Sequence, residues 1–183
     1  MKTLFSFAVS ASMFFLLMVI TISAQVPEPS QNPMMEETVE VIKKKIVGTK
    51  MVFTMEDRAK ITREYTEVSL KGTTLTVKFE AGIIYKNGEP DPNDSIHTIE
   101  IPLEKVTAIK FEVDKNKFDP DYYLLKFGGT DFIQYSTAKD PLKRDGTMFS
   151  NSNPIISFTD EYTAKEVLNA FNHAVSLAKV KKK

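Results

Sequence analysis

Between Lys50 and Phe158 the apolar residues recur at every second position. Leu75, Val77 and Phe79 alternate with Thr74, Thr76 and Lys78; Ile109, Phe111 and Val113 alternate with Lys110 and Glu112; Tyr123, Leu125 and Phe127 repeat the pattern. A period of two predicts half-buried strands. Turn chemistry punctuates them at Lys71-Gly72, Asn87-Gly88, Glu89 to Asp94, Phe118 to Asp121 and Gly128-Gly129. About seven or eight strands joined as neighbours predict an antiparallel sheet curled into a partly open barrel or sandwich. Residues Ala138 to Pro154 read as a long polar loop before a last strand, Ile155 to Phe158.

On either side of this region the period becomes helical. Met35, Val39, Ile42 and Ile46 share one face, Asn32-Pro33 offers a cap and first-turn proline, and Gly48 a stop. These predict a short helix from Met34 to Val47, with strand as the alternative because of its β-branched content. After Thr159 or Asp160 as cap, Ala164, Val167, Leu168, Phe171, Ala174, Val175 and Ala178 fall within about 60° of one direction at about 100° per residue. That stripe predicts a C-terminal helix laid on the sheet, its expected partner. His173 lies about 200° from Phe171, among Asn169, Ser176 and Glu166, and reads as a solvated surface residue.

Residues 1–24 have one basic residue, Lys2, an apolar stretch densest from Met13 to Ile20, and Ser23-Ala24 before Gln25. This is a secretory signal pattern with cleavage expected after Ala24; an uncleaved membrane anchor is the alternative. Three prolines make residues 25–33 an extended tether, and residues 34–180 a single domain with its core in 50–179. Without Lys2, 23 basic residues face 24 acidic ones, a balance that argues against nucleic acid as partner. With no cysteine, the fold is held by its core alone. The expected location is the bacterial periplasm or the extracellular space.

Two stretches, IPLEKVTAIKF from Ile101 to Phe111 and ISFTDEYTAKEVLNAFNHAVSLAK from Ile156 to Lys179, resemble the pleckstrin-homology-like superfamily. The resemblance implies an α+β fold in which one C-terminal helix closes an end of a split barrel. Phe171 stands where that helix usually carries tryptophan. Such folds host many unrelated binding roles, so the resemblance implies architecture and no single activity.

Candidate chemistry is sparse. Arg58, Lys60 and Arg63 lie between the first two predicted strands, where phosphoinositide-binding members of the superfamily clamp headgroup phosphates; that role does not carry over, because the second strand lacks the basic alternation and the exported location excludes phosphoinositides. A solvated, charged edge that discourages strand pairing is the favoured reading of these residues, with a different anion, such as a lipid or nucleotide phosphate or a glycan carboxylate, as the alternative. His97 shares parity with Ile99 and Ile101 and points inward, toward a core-edge role or a polar anchor in an end cavity with Tyr123 or Gln134. No nucleophile is expected beside it. Asp91 to Asp94 and Asp114 to Asn116 gather oxygen ligands without calcium-loop spacing, and no metal or other cofactor is predicted. Lys181, Lys182 and Lys183 offer contact with an anionic membrane surface. The expectation is a noncatalytic binding module for a protein or a small anionic or lipid ligand; a small-ligand or lipid carrier with an open barrel interior comes second and a hydrolase third.

Overall fold

The computed structural model describes residues 33–56, 59–90, 95–115, 117, 119–138, 148–150 and 152–180. Among these, two helices, α1 (Pro33–Ile46) and α2 (Glu161–Val180), accompany nine strands: β1 (Lys50–Thr54), β2 (Lys60–Lys71), β3 (Thr74–Ile84), β4 (Ser95–Pro102), β5 (Val106–Asp114), β6 (Tyr122–Gly129), β7 (Ile133–Ala138), β8 (Met148–Ser150) and β9 (Ile155–Phe158). All pairings are antiparallel. The expected α+β class holds. The barrel does not close: β1-β2-β3-β4-β7-β8 form one sheet and β5-β6-β9 another. The signal-like segment, the proline-rich tether and the terminal lysines lie outside the described residues. Strand β8 falls inside the stretch read as a long loop. It is three residues long, too short for a period of two to show, and pairs Ser150 with Gln134 and Met148 with Ser136.

Helix α2 buries the expected stripe, with Ala164, Val167, Phe171, Ala174 and Ala178 inside and Leu168 and Val175 half-buried. Phe171 meets Phe127 edge-on at 4.9 Å between ring centres, and burying a ring of this size contributes roughly 1.5–3 kcal/mol. Asp160 caps the helix by accepting the Thr163 N–H at 2.7 Å. The sheet is not its only partner, however. Helix α1 runs antiparallel beside it, Thr38 facing His173 and Lys45 reaching Glu166 at 2.6 Å. The physical reason lies in α1: Met35, Val39, Ile42 and Ile46 need cover on a surface wider than the strands provide.

The two ends of the sandwich differ. At one, β4 runs through a single 3-10 turn (Leu103–Lys105) into β5, with Leu103 buried and its N–H donating to the Thr73 carbonyl at 3.0 Å. There the backbone of Gly129, at φ +154°, passes so close that an added Cβ would lie 2.4 Å from the Lys105 oxygen. Helix α2 packs on this turn. At the other end cover fades: β3 buries Leu75, Val77 and Phe79, then stays half-exposed from Glu80 to Ile84. β1 ends here, β2 begins, β4 begins and β7 ends.

Candidate functional site

The open end is where polar side chains enter the inner face. On β2, Ile61, Arg63 and Tyr65 share the parity that turns inward, and a bulge after Tyr65 shifts that parity to Val68 and Leu70. Tyr65 is fully buried and its hydroxyl accepts the Ser157 N–H at 3.0 Å, joining the two sheets. Neighbouring strands put Phe79 opposite both Tyr65 and His97, and Ala81 opposite both Arg63 and Ser95. Two rows therefore cross the sheet: Arg63, Ala81, Ser95 and, one step deeper, Tyr65, Phe79, His97.

Arg63 has unusual surroundings. Its guanidinium carbon sits 4.5 Å from the centre of the Phe79 ring and 5.5 Å from that of Phe53, contacts worth about 0.5–2 kcal/mol each. Nη1 donates to Ser157 Oγ at 3.4 Å, and Nε is shut off from solvent with no acceptor. No carboxylate pairs with it among the described residues. A desolvated donor left empty costs about 1–3 kcal/mol. The nearest strand end offers no relief, because the Asp119 carboxylate is engaged with Thr54, accepting its N–H at 2.6 Å and its hydroxyl at 2.7 Å. The Tyr122 hydroxyl donates to the Val52 carbonyl beside it, and burial, then Asp119, raise its pKa.

His97 lies flat on Phe79, the rings 4.8 Å apart and 2° from parallel. Burial first, and the Arg63 charge second, lower its pKa from 6.5, so the imidazole is neutral at pH 7. Its Nε2 is 2.7 Å from Ser95 Oγ. This corrects the expectation that no nucleophile stands beside it: strand alternation puts residues two apart on one face, and a hydroxyl is there. A neutral imidazole with one ring nitrogen on a hydroxyl has the first element of a nucleophile–base pair.

The other candidates disperse. Arg58 lies outside the described residues, and exposed Lys60 opens β2 with parity opposite to Arg63. Tyr123 stands in the smaller sheet, stacked on Phe111 at 6.1 Å, away from His97. Gln134 is one register step from His97, across from Ile99, with its amide donating to the Ser152 carbonyl at 2.7 Å and to its hydroxyl at 3.0 Å. Asp91 to Asp94 and Asn116 lie outside the described residues. Among the described residues no three His, Asp or Glu side chains gather as metal ligands. The reading missed Phe53, Ser95 and Ser157; parity signals the first two, and nothing in the sequence signals the third.

His173 is exposed, as expected, yet it does not face only water. Its Nδ1 is 3.0 Å from the Thr38 hydroxyl, which is 2.7 Å from the Met34 carbonyl. One hydroxyl has one proton, and the carbonyl accepts it. His173 Nδ1 therefore carries the other proton and donates to Thr38 Oγ. The ring clasps α2 to α1; its one hydroxyl neighbour, Thr38, gives its proton to the Met34 carbonyl, and among the described residues no carboxylate bonds the ring.

Comparison of the chain with protein-family models, with curated proteins and with solved structures gave no match.

Proposed function

We propose that this protein is a noncatalytic binding module whose ligand enters at the open end of the sandwich. The observation that carries this reading is Arg63: a guanidinium half-sunk between aromatic rings, with Nε unpartnered and, among the described residues, no carboxylate paired to it. Folding alone does not favour such a residue, since a desolvated charge without a counter-charge is destabilising. A ligand that supplies the acceptor offsets that cost. Strands followed by one closing helix, as in the pleckstrin-homology-like arrangement, support a scaffold whose cover is fixed at one end and whose chemistry sits at the other. The pattern of residues 1–24 supports an exported site of action. Native mass spectrometry of the protein purified from its own compartment tests the reading: a retained adduct, restored by ligand after stripping, is expected. An adduct-free protein that no small molecule stabilises against heat would overturn it.

One observation favours a second reading, a hydrolase. Ser95 and His97 form a hydroxyl–imidazole pair at 2.7 Å, but among the described residues no carboxylate bonds the imidazole as the third group of a catalytic triad. Turnover of p-nitrophenyl butyrate abolished by Ser95→Ala would establish it and displace the noncatalytic reading.

A further inference from the structure

Resting on the binding reading, we infer that the open end is a recess for a single carboxylate carried on an apolar chain, floored by Ala81 and flanked by Arg63 on one side and Ser95 on the other. The register carries this. Ala81 pairs with both residues, so two polar groups stand on either side of the smallest side chain in their row, across about 10 Å of sheet. Arg63 uses Nη1 on Ser157, while among the described residues Nε and Nη2 have no partner. Those two nitrogens form one edge of the guanidinium, with two parallel N–H groups at the spacing of a carboxylate's two oxygens. Since Nε is out of contact with water, engaging that edge takes a shift of the half-exposed side chains around it.

The charge count selects a monoanion. Along this inner face Arg63 is the one cation of β2, β3 and β4; Lys60 and Lys78 have the opposite parity, and Lys78 is taken by Glu67 at 2.8 Å. His97 adds no charge at pH 7, because its burial and the Arg63 charge hold it neutral. A dianionic phosphate would keep one charge uncompensated in a partly desolvated site. The apolar chain has its own surface: Phe53, Ile61 and Ile83 lie on the same end and are only half-buried. Arg63 and Ser95 read the head group, and this ledge takes the tail.

The test is titration with three probes of equal chain length, decanoate, decyl phosphate and decanol, followed by two-dimensional NMR of the full domain. Decanoate is expected to bind at least tenfold tighter than the other two and to shift the Ala81, Ser95 and His97 signals. Arg63→Gln and Ala81→Leu are each expected to weaken decanoate at least tenfold, with Lys126→Gln, on the other sheet, unchanged. Should Arg63→Gln fail to fold, Ala81→Leu decides, since it fills the recess and leaves the guanidinium in place. Decanol binding as well as decanoate, decyl phosphate binding tighter, or decanoate indifferent to both substitutions each overturns the inference. If no probe binds while an adduct survives native mass spectrometry, this recess is wrong and the binding reading stands; if neither is seen, both fall.

Discussion

The two ends of this sandwich are built from the same strands and solve opposite problems. At the closed end the core is covered: Leu103 and Phe171 are fully buried, and Gly129 lets two backbones touch. At the open end the same inner rows continue, but among the described residues β3 is only half-buried there, and arginine, serine and histidine replace leucine, valine and isoleucine. A sheet wider and longer than its cover has surplus inner face. What differs is how far the described chain completes it, fully at one end and only in part at the other.

The comparison breaks first at the closed end, where the largest effects are expected. Phe171→Ala leaves a cavity against Phe127 and should cost about 3–5 kcal/mol in urea unfolding. Gly129→Ala forces a Cβ into the Lys105 carbonyl at an unfavourable φ and should cost about 2–3 kcal/mol by the same measurement. A smaller loss, about 1 kcal/mol, is expected of Thr38→Val, which removes the acceptor of the His173 clasp; nitrogen NMR of the native protein should find the proton on Nδ1. At the open end Arg63→Met sharpens the contrast. It should leave stability unchanged or raise it by about 1 kcal/mol, because an uncompensated cation gives way to an apolar chain; a loss comparable to that of Phe171→Ala would make the two ends equivalent.

The smallest effect is a pH dependence. The fold lowers the His97 pKa from 6.5, so the unfolded chain binds the proton more readily. The stabilisation is complete above about pH 6.5 and is lost as pH falls through that value toward the lowered one. Urea midpoints at about pH 7.5 and 5.5 should show it, and His97→Gln should flatten it. Asp160 acts in a separate window: its capping bond to Thr163 lowers its pKa from 3.8, so its contribution fades only in stronger acid.

Much of the closed end was legible. Phe171 and its stripe follow from a 3.6-residue period, and the inward parity of His97 from a period of two, because burial on one face writes itself into spacing. The open end was half legible. Arg63 shares the parity of Ile61 and Tyr65, but the bulge after Tyr65 interrupts the count, and a charged residue in an apolar row looks like an exposed edge. Ser157 was invisible, since its role depends on where one sheet meets the other. The partnership of α1 with α2 was missed for a related reason: an amphipathic stripe announces that something covers it without saying what.

The antiparallel clasp of the two helices sets how the molecule answers to force. Because α1 begins where α2 finishes, a pull applied at both extremities loads the helix seam one bond at a time, His173 with Thr38 before Glu166 with Lys45. Each helix also lies on strands, so the same peel strips α1 from β2 and α2 from β5, β6 and β9 as it proceeds.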